Sequence, residues 1–262
     1  MDGDPKNNQV CVFVSSSDNT ADVFGLIGPN IYRAWKDVGL TLFVGTNTKI
    51  ATDGFQPVYA KVSDWSHELH EQLEVIGRSY KWVILILDDF HFSKVVEREF
   101  IAKHLSFVSE MQPDYLRLIS LKRAFCIRLL KLLCLTCRRK PHWRLSRSEP
   151  YYSALQVAVW NIEYLKSRLL NCSDIWGFEE AIPSNSKHYC VNTSSIKYQH
   201  LVEKGRWLPQ APGVIGAHTR TLFKQRGFVT AGWRIRHSMR RVLFFLFGYS
   251  SYKIKKLFDR LF

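Results

Sequence analysis

The sequence has no apolar run long enough to cross a membrane as a helix. The longest candidates are Val83–Leu87 and Val242–Phe247, whereas a spanning helix needs about 18 to 20 apolar residues. The amino-terminal stretch MDGDPKNNQ is polar and acidic, which is not the pattern of a secretory signal peptide. We therefore expect a cytoplasmic protein that does not span a membrane.

Cysteine is scarce and poorly arranged for metal binding. The chain has six cysteines, and without export free thiols are the default. Cys134 and Cys137 have the Cys-x-x-Cys spacing of a zinc site, but no second pair completes four ligands. Free thiols are thus favoured over a structural zinc.

Acidic residues are absent from one long segment, and this sets the charge pattern. Residues 117–147 carry 10 basic and no acidic side chains, and residues 219–262 carry 11 basic and 1 acidic, so these two blocks hold the excess behind the net charge of +14. The first 116 residues are acidic on balance. Two basic blocks suggest a polyanionic partner: anionic lipid headgroups, nucleic acid or a diphosphate substrate.

The amino-terminal half alternates between strand and helix patterns. The predicted elements are a strand at Val10–Val14, a helix at Phe24–Val38, strands at Leu40–Val44 and Val58–Val62, a helix capped by Asp64 or Ser66 and ended by Gly77, a buried strand at Trp82–Leu87, and a helix at Val95–Glu110. This alternation predicts a mostly parallel α/β sheet, whose ligands bind at the carboxyl ends of the strands.

The carboxyl-terminal half is predicted to be more helical and less regular. Part of the basic block Leu118–Arg147 and the segment Ala154–Leu170 are predicted as helices, and residues 183–218 as irregular. In the tail, Ile254, Leu257, Phe258 and Leu261 have helical spacing, with lysine and arginine between them. Basic amphipathic helices of this kind lie in membrane interfaces.

Two adjacent carboxylates, Asp88 and Asp89, follow the most apolar strand. Two ionised carboxylates at the end of a buried strand cost free energy, because they lose hydration and repel each other, unless a cation binds to both. Mg²⁺ or Mn²⁺ binds one or two carboxylates together with phosphate oxygens, and would neutralise a leaving diphosphate. The alternative is that the pair only begins a turn or caps the next helix.

An ordered series of short motifs resembles bacterial surface-polysaccharide glycosyltransferases of the lipopolysaccharide or O-antigen type, which look like relatives of the GT-A fold enzymes. The motifs are Ser15-Ser-Ser-Asp18, Trp35, Thr46-Asn47, Trp65-Ser66, Leu87-Asp-Asp-Phe90, Tyr151-Tyr-Ser153, Trp176-Gly-Phe-Glu179 and Lys204-Gly-Arg-Trp207. The resemblance implies a GT-A-like nucleotide-diphospho-sugar transferase fold, with a mixed, mostly parallel sheet flanked by helices.

The resemblance also implies roles for individual residues. Donor-binding positions would be Ser15, Ser16, Asp18, Asn47, Ser66 and Asp88, and the metal-binding positions Asp88 and Asp89. Related enzymes often carry Asp-x-Asp, whereas Phe90 takes the third place here.

Catalytic roles would fall to Asp89 and to Glu179, which would be the general base of an inverting enzyme. Glu180 is a rival base, and a carboxylate that only stabilises a helix amino terminus is the alternative for Glu179. Some GT-A enzymes supply a histidine to the metal from this part of the chain; we do not expect His188, His200 or His218 to be a ligand, and His218 is the preferred candidate among them.

These inferences combine into one functional hypothesis and two alternatives. Residues 1–218 would form the transferase domain, and residues 219–262 a membrane-associating tail on the inner face of the cell membrane. The enzyme would transfer a sugar from a nucleotide-sugar donor to a lipid-linked or polysaccharide acceptor. A non-catalytic membrane-surface protein on a degenerate transferase fold is one alternative. Nucleic-acid binding, the other, has only charge in its favour, because no recognition motif is present.

Overall fold

The computed structural model describes residues 9–48, 54–62, 64–120, 141–147, 152–172, 175–181, 185–203, 205–216 and 226–229. Several predictions fall outside these residues. They concern most of the basic block, including Cys134 and Cys137, the possible ligand His218, and the amphipathic tail beyond Val229.

An eight-stranded mixed sheet forms the centre of the fold. Its strands are β1 (Val10–Ser15), β2 (Leu42–Thr46), β3 (Gln56–Tyr59), β4 (Trp82–Leu87), β6 (Tyr115–Arg117), β7 (His142–Arg144), β8 (Ala158–Asn161) and β9 (His188–Val191). Their order across the sheet is β3-β2-β1-β4-β8-β6-β9-β7. Two small antiparallel pairs lie outside it, formed by β5 (Phe90–Phe92) with β10 (Tyr198–His200) and by β11 (Val202–Glu203) with β12 (Arg206–Trp207).

The described helices are α1 (Ala21–Trp35), α2 (Trp65–Ile76), α3 (Arg98–Met111), α4 (Ile162–Leu169), α5 (Ile175–Glu180) and α6 (Ala211–Ile215), with short 3-10 turns at Asp18–Thr20 and Lys36–Val38. The α2 prediction is confirmed in detail: the side chain of Asp64 caps the helix by accepting the His67 amide, and Gly77 follows its last residue. No helix among the described residues is long and apolar enough to span a membrane.

Strands β1 to β4 are parallel, and β8 then runs antiparallel to β4 and β6. Alternate residues of β1 enter different cores: Val12 and Val14 pack with α1 and α3, whereas Cys11 and Phe13 pack with α2 and α4. A strand buried on both faces needs an uninterrupted apolar sequence, which is why the patterns of β1 and β4 are clear. The predicted mixed, mostly parallel sheet between helices is confirmed.

Two secondary-structure predictions are wrong. The segment Ala154–Leu170 is not one helix, because Ala158–Asn161 forms β8 and only Ile162–Leu169 is helical. Strand β8 is buried between β4 and β6, and the side chain of Asn161 caps α4 by accepting the Tyr164 amide. Tertiary pairing therefore overrides an amphipathic pattern.

The second wrong prediction concerns residues 183–218, which are not irregular. They contain β9, β10, β11, β12 and α6. These strands have only two to four residues each, too short for a clear period in the sequence. They nevertheless shape one side of the candidate site.

Candidate functional site

The parallel strands β1, β2 and β4 end at one edge of the sheet, where Asp18, Asn47 and Asp88 lie in the following loops. The first two loops hold each other directly. The Asp18 amide donates to Asn47 Oδ1 at 3.1 Å, and the Asn47 amide donates to Asp18 Oδ1 at 3.1 Å. Reciprocal hydrogen bonds thus hold two loops together at the edge of the sheet where the sequence predicts a ligand-binding crevice.

The carboxylate of Asp18 is held by the end of β2 and the loop that follows it. Burial alone would raise its pKa, but the amides of Asn47 and Thr48 and the hydroxyl of Thr46 together lower it below the ordinary value. The carboxylate therefore stays ionised in this position. Of the other predicted donor-binding residues, Ser15 and Ser16 lie buried in and just after β1.

Ser66 takes part in helix capping. Its side chain is 1% exposed, and its hydroxyl donates to Asp64 Oδ2 at 2.8 Å. The structure therefore brings Ser66 close to the cap of α2, while Ser15, Ser16, Asp18 and Asn47 lie at the loops that frame the crevice.

A buried polar cluster not recognised from the sequence lies beneath these loops. Glu68 is 4% exposed and accepts from Gln72 Nε2 at 3.3 Å. Gln72 packs so closely on β2 that a Cβ atom on Gly45 would lie 2.5 Å from its Oε1. Burial raises the pKa of Glu68 to about 7, and the Asp18 charge adds to this effect, although hydrogen bonds from Gln72 and Asn47 oppose it.

Asp88 has a carboxylate oxygen that is buried. Its Oδ2 atom is inaccessible to solvent and has no hydrogen-bond partner among the described residues. Burial raises the pKa of Asp88 to about 7, and the neighbouring Asp89 raises it further, while hydrogen bonds with Thr20 and Ser16 lower it. A buried carboxylate oxygen without a partner is suited to a proton, a hydroxyl donor or a cation.

Asp89 pairs with a histidine that comes more than a hundred residues later. Its Oδ2 atom accepts from His200 Nδ1 at 3.1 Å, and its backbone carbonyl accepts the Leu201 amide. Burial would lower the pKa of His200, but the Asp89 carboxylate outweighs this and raises it. His200 keeps 46% of its side-chain surface exposed and Asp89 keeps 14%, so the pair faces solvent on one side.

Phe90 stands where an Asp-x-Asp motif would have its second aspartate, and its packing places His200 beside Asp89. Phe90 is fully buried and stacks on Tyr198 with ring centroids 4.3 Å apart. That packing aligns β5 with β10, and the register sets His200 opposite Phe90. An aspartate at position 90 would bury an additional charge in this aromatic contact.

The three histidines considered as ligands have different environments. His188 is buried, stacks on Tyr152, and lies 2.7 Å from the Tyr164 hydroxyl; burial lowers its pKa to about 3. It is a core residue. His218, the preferred candidate, lies outside the described residues. Sequence reasoning therefore missed the part played by His200, which only the alternating pattern from Tyr198 to His200 could have suggested.

Glu179 lies near the same edge of the sheet. It is the fifth residue of the six-residue α5, so the alternative role at a helix amino terminus does not describe its position. Its Oε1 atom accepts the Leu155 amide at 2.7 Å, just before β8. Its charge acts on His200, so Glu179, His200 and Asp89 share one electrostatic environment. Arg168 fixes the end of α5 by donating to the Phe178 and Ala181 carbonyls.

The carboxylates suit a metal that is held jointly with a phosphate group. Among the described residues, no group of three or more histidine, cysteine, aspartate or glutamate side chains could hold a metal by itself. Mg²⁺ commonly takes only one or two carboxylates and completes its shell with phosphate and water. Asp88, with its unpartnered buried oxygen, and Asp89 fit that smaller share.

Comparisons with known proteins give structural likenesses of low identity. No family model matches the chain, and no curated protein matches it. Residues 1–349 of TarS from S. aureus, in complex with UDP-GlcNAc, are 10% identical over 76% of this chain and 60% of that chain, with a TM-score of 0.48. The same region of TarS in complex with UDP is 9% identical over 72% of this chain and 59% of that chain, with a TM-score of 0.43.

A third solved structure, A197 from STIV, is 11% identical over 74% of this chain and 86% of that chain, with a TM-score of 0.37. The chain spans about 60% of the length of the two TarS structures. At these TM-scores, the case for function rests on the residues of the site itself.

Proposed function

We propose that the protein is a glycosyltransferase that uses a nucleotide-sugar donor. One observation carries the proposal: Asp88, with an unpartnered buried oxygen, the Asp89–His200 pair and the fixed carboxylate of Glu179 converge near one edge of a mostly parallel sheet. Crevices of this kind, with carboxylates in unequal environments, are where ligands and acid–base groups are found in α/β proteins.

On the donor side, Asp88 and Asp89 would hold Mg²⁺ or Mn²⁺ together with the diphosphate. The metal would supply positive charge to the departing nucleoside diphosphate. The loops joined by Asp18 and Asn47 would hold the nucleoside, since they are preformed by reciprocal hydrogen bonds. A rigid loop pair binds its ligand with less loss of conformational entropy than a mobile one.

On the acceptor side, Glu179 is the candidate general base. It would take the proton of an acceptor hydroxyl while that oxygen attacks the anomeric carbon, and the bond from this carbon to the diphosphate oxygen would break. The hydrogen bond from the Leu155 amide orients the carboxylate. This assignment belongs to an inverting reaction, and Glu180 remains the rival base.

The acceptor proposed is a lipid-linked sugar or a polysaccharide at the inner face of the cell membrane. The basic amphipathic pattern of residues 230–262 supports this location, because each lysine or arginine near an anionic surface contributes about 1 kcal/mol. Such a tail would bring the crevice beside a membrane-bound acceptor. The lipopolysaccharide-type pathway is part of the same proposal.

The test is a donor-turnover assay. The full chain is incubated with a panel of nucleotide sugars and Mg²⁺ or Mn²⁺, and released nucleotide is measured; UDP-GlcNAc, with which TarS was crystallised, belongs in the panel. We expect release with at least one donor and a loss of at least tenfold in Asp89→Asn. Donor binding without turnover in any condition would favour the non-catalytic alternative, for which Phe90 in place of a third acid is the supporting feature.

A further inference from the structure

Residues 226–229 form a short strap that joins the carboxyl-terminal part of the chain to the rim of the crevice. The Trp207 amide donates to the Gly227 carbonyl at 3.0 Å, and the Val229 amide donates to the Trp207 carbonyl at 3.1 Å. Phe228 thereby pairs with Trp207 as a parallel β-bridge. Trp207 is fully buried in the core and Val229 is 8% exposed, so the strap is anchored on this side by packing as well as by hydrogen bonds.

On its other side the strap contacts the loop that follows β1. Arg226 Nε donates to Asp22 Oδ2 at 2.5 Å, its terminal nitrogen donates to the second oxygen of the same carboxylate, and that nitrogen also donates to the Asn19 carbonyl. Asp22 lies in the first turn of α1. The hydrogen bond and charge of Arg226 lower the pKa of Asp22.

Arg226 and Asp22 are both partly buried, with 18% and 22% of their side chains exposed. A two-pronged arginine–carboxylate pair in such a place is directional, and lysine does not reproduce it. The pair is 204 residues apart in sequence. The contacts of Arg226 with Asp22 and Asn19 therefore fix the position of the 3-10 turn Asp18–Thr20.

The strap also completes a chain of contacts around the acidic pair. The Leu201 amide bonds to the Asp89 carbonyl, and the Leu208 amide bonds to the Leu201 carbonyl. Trp207, the neighbour of Leu208, bonds to the strap, and Arg226 bonds to Asn19. The charge of Arg226 acts on Asp88 and lowers its pKa against the effect of burial.

We propose that Arg226 is a positioning residue for binding a nucleoside diphosphate: it clamps the Asp18–Thr20 turn beside Asp88 from the carboxyl-terminal side. The inference rests on the proposed function and deepens it. It also places a determinant of the donor site beyond residue 218, in the segment that immediately precedes the basic amphipathic tail.

The physical reason is the conformational freedom of the turn. Asp18 is tied to Asn47 on one side of the turn, while Arg226 ties Asn19 and Asp22 on the other. Without Arg226 the hydrogen bonds to Asn19 and Asp22 are lost, and the turn becomes more mobile in the free protein. A ligand must then order the turn when it binds, and this loss of conformational entropy reduces the binding affinity. Coupling between such contacting groups commonly changes an equilibrium by about tenfold.

The test compares full-length variants Arg226→Ala, Arg226→Lys and Asp22→Asn with a control, Arg78→Ala. Arg78 is exposed after α2, and its replacement removes the same charge. Hydrogen exchange of the amides of residues 18–23 measures the clamp, and calorimetric titration with UDP, GDP, CDP and ADP, each with Mg²⁺, measures binding.

We expect faster exchange at residues 18–23 and about tenfold weaker nucleotide binding in Arg226→Ala, with Arg226→Lys intermediate. Arg226→Ala combined with Asp22→Asn should weaken binding no more than Arg226→Ala alone, because the Asp22 carboxylate acts through Arg226. A residue that only stabilised the fold would instead lower the unfolding temperature without this local exchange and without the non-additivity.

The two parts of the proposal can fail separately. Unchanged exchange at residues 18–23 in Arg226→Ala would overturn the clamp, whatever the protein binds. Faster exchange together with wild-type nucleotide affinity would overturn the positioning role while leaving the proposed function intact. No nucleotide binding by the wild type would contradict the proposed function, and with it the role of Arg226 in donor binding.

Discussion

Replacing Glu68 by glutamine should stabilise the protein at neutral and alkaline pH. Glu68 is 4% exposed, and burial raises its pKa from the ordinary 4.5 to about 7. Between these values the folded state keeps a proton that the unfolded state has released, so stability falls as the pH rises through this window. The glutamine introduced by Glu68→Gln has no such ionisation, while its side-chain oxygen can still accept from Gln72.

The size of the effect follows from the two pKa values. They differ by about 2.5, and each pKa unit corresponds to about 1.4 kcal/mol, so the free energy of unfolding should differ by at most about 3.5 kcal/mol. The free energy of unfolding of Glu68→Gln should therefore exceed that of the wild type by up to about 3.5 kcal/mol at pH 8, and by close to nothing at pH 4. Relaxation of the polar cluster around Glu68 would make the measured gain smaller.

Urea unfolding of both proteins at pH 4, 6 and 8 measures this difference, with Glu110→Gln as the control. Glu110 is exposed on α3, so its replacement removes the same charge from the surface. A difference between Glu68→Gln and wild type that does not grow with pH would refute the argument. A pH-dependent gain of equal size in the control would refute it as well, since it would trace the effect to net charge.

Three further predictions concern catalysis, packing and the tail. Glu179→Gln should lower the turnover number by about 10²- to 10⁴-fold with little change in donor affinity, whereas Glu180→Gln should leave the turnover number unchanged. Steady-state kinetics measures both values, and equal losses of turnover in the two variants would contradict the assignment of Glu179 as the base. Gly45→Ala should destabilise the protein by about 1 to 3 kcal/mol in urea unfolding, because its Cβ would meet Gln72, and unchanged stability would contradict this packing. Removal of residues 230–262 should abolish binding to anionic liposomes in a sedimentation assay while keeping nucleotide binding; retained liposome binding would refute the role of the tail.

The deletion boundary in that last prediction differs from the domain boundary expected from the sequence. A cut after residue 218 would remove Arg226 and Val229 together with the tail, although both contact the part of the chain that carries the crevice. A loss of nucleotide binding on such a deletion would therefore not report on the membrane. The cut after Val229 separates the two effects.

The elements that could be predicted from the sequence are those whose burial leaves a long and simple pattern. The apolar run predicts strand Trp82–Leu87 with its observed bounds, because a strand covered on both faces has no polar interruption. The cap and end of α2 are readable because Asp64 and Gly77 act within a few residues of their partners. Strand Ala158–Asn161 could not be predicted, since its pairing with β4 and β6 has no local sequence signal.

In the candidate site, too, the residues marked by a local sequence pattern could be predicted, whereas those placed by contacts between distant segments could not. Asp88 and Asp89 could be found because a charged pair directly after an apolar strand is conspicuous in the sequence itself. The sequence names His200 only as one of three possible metal ligands, and it indicates neither the pairing of His200 with Asp89 nor the contacts of Arg226. The positions of His200 and Arg226 depend on the register between β5 and β10 and on the bridge between Trp207 and Phe228, both of which join distant segments.

The central claim is that the acidic pair binds a nucleoside diphosphate with a divalent cation. Its most direct test is calorimetric titration of wild type and Asp89→Asn with UDP, GDP, CDP and ADP, each with and without Mg²⁺ or Mn²⁺. The account predicts that the wild type binds at least one of them, more tightly with the cation, and that Asp89→Asn binds it at least tenfold more weakly. Absence of binding to the wild type, or equal binding by both proteins with and without the cation, would contradict it.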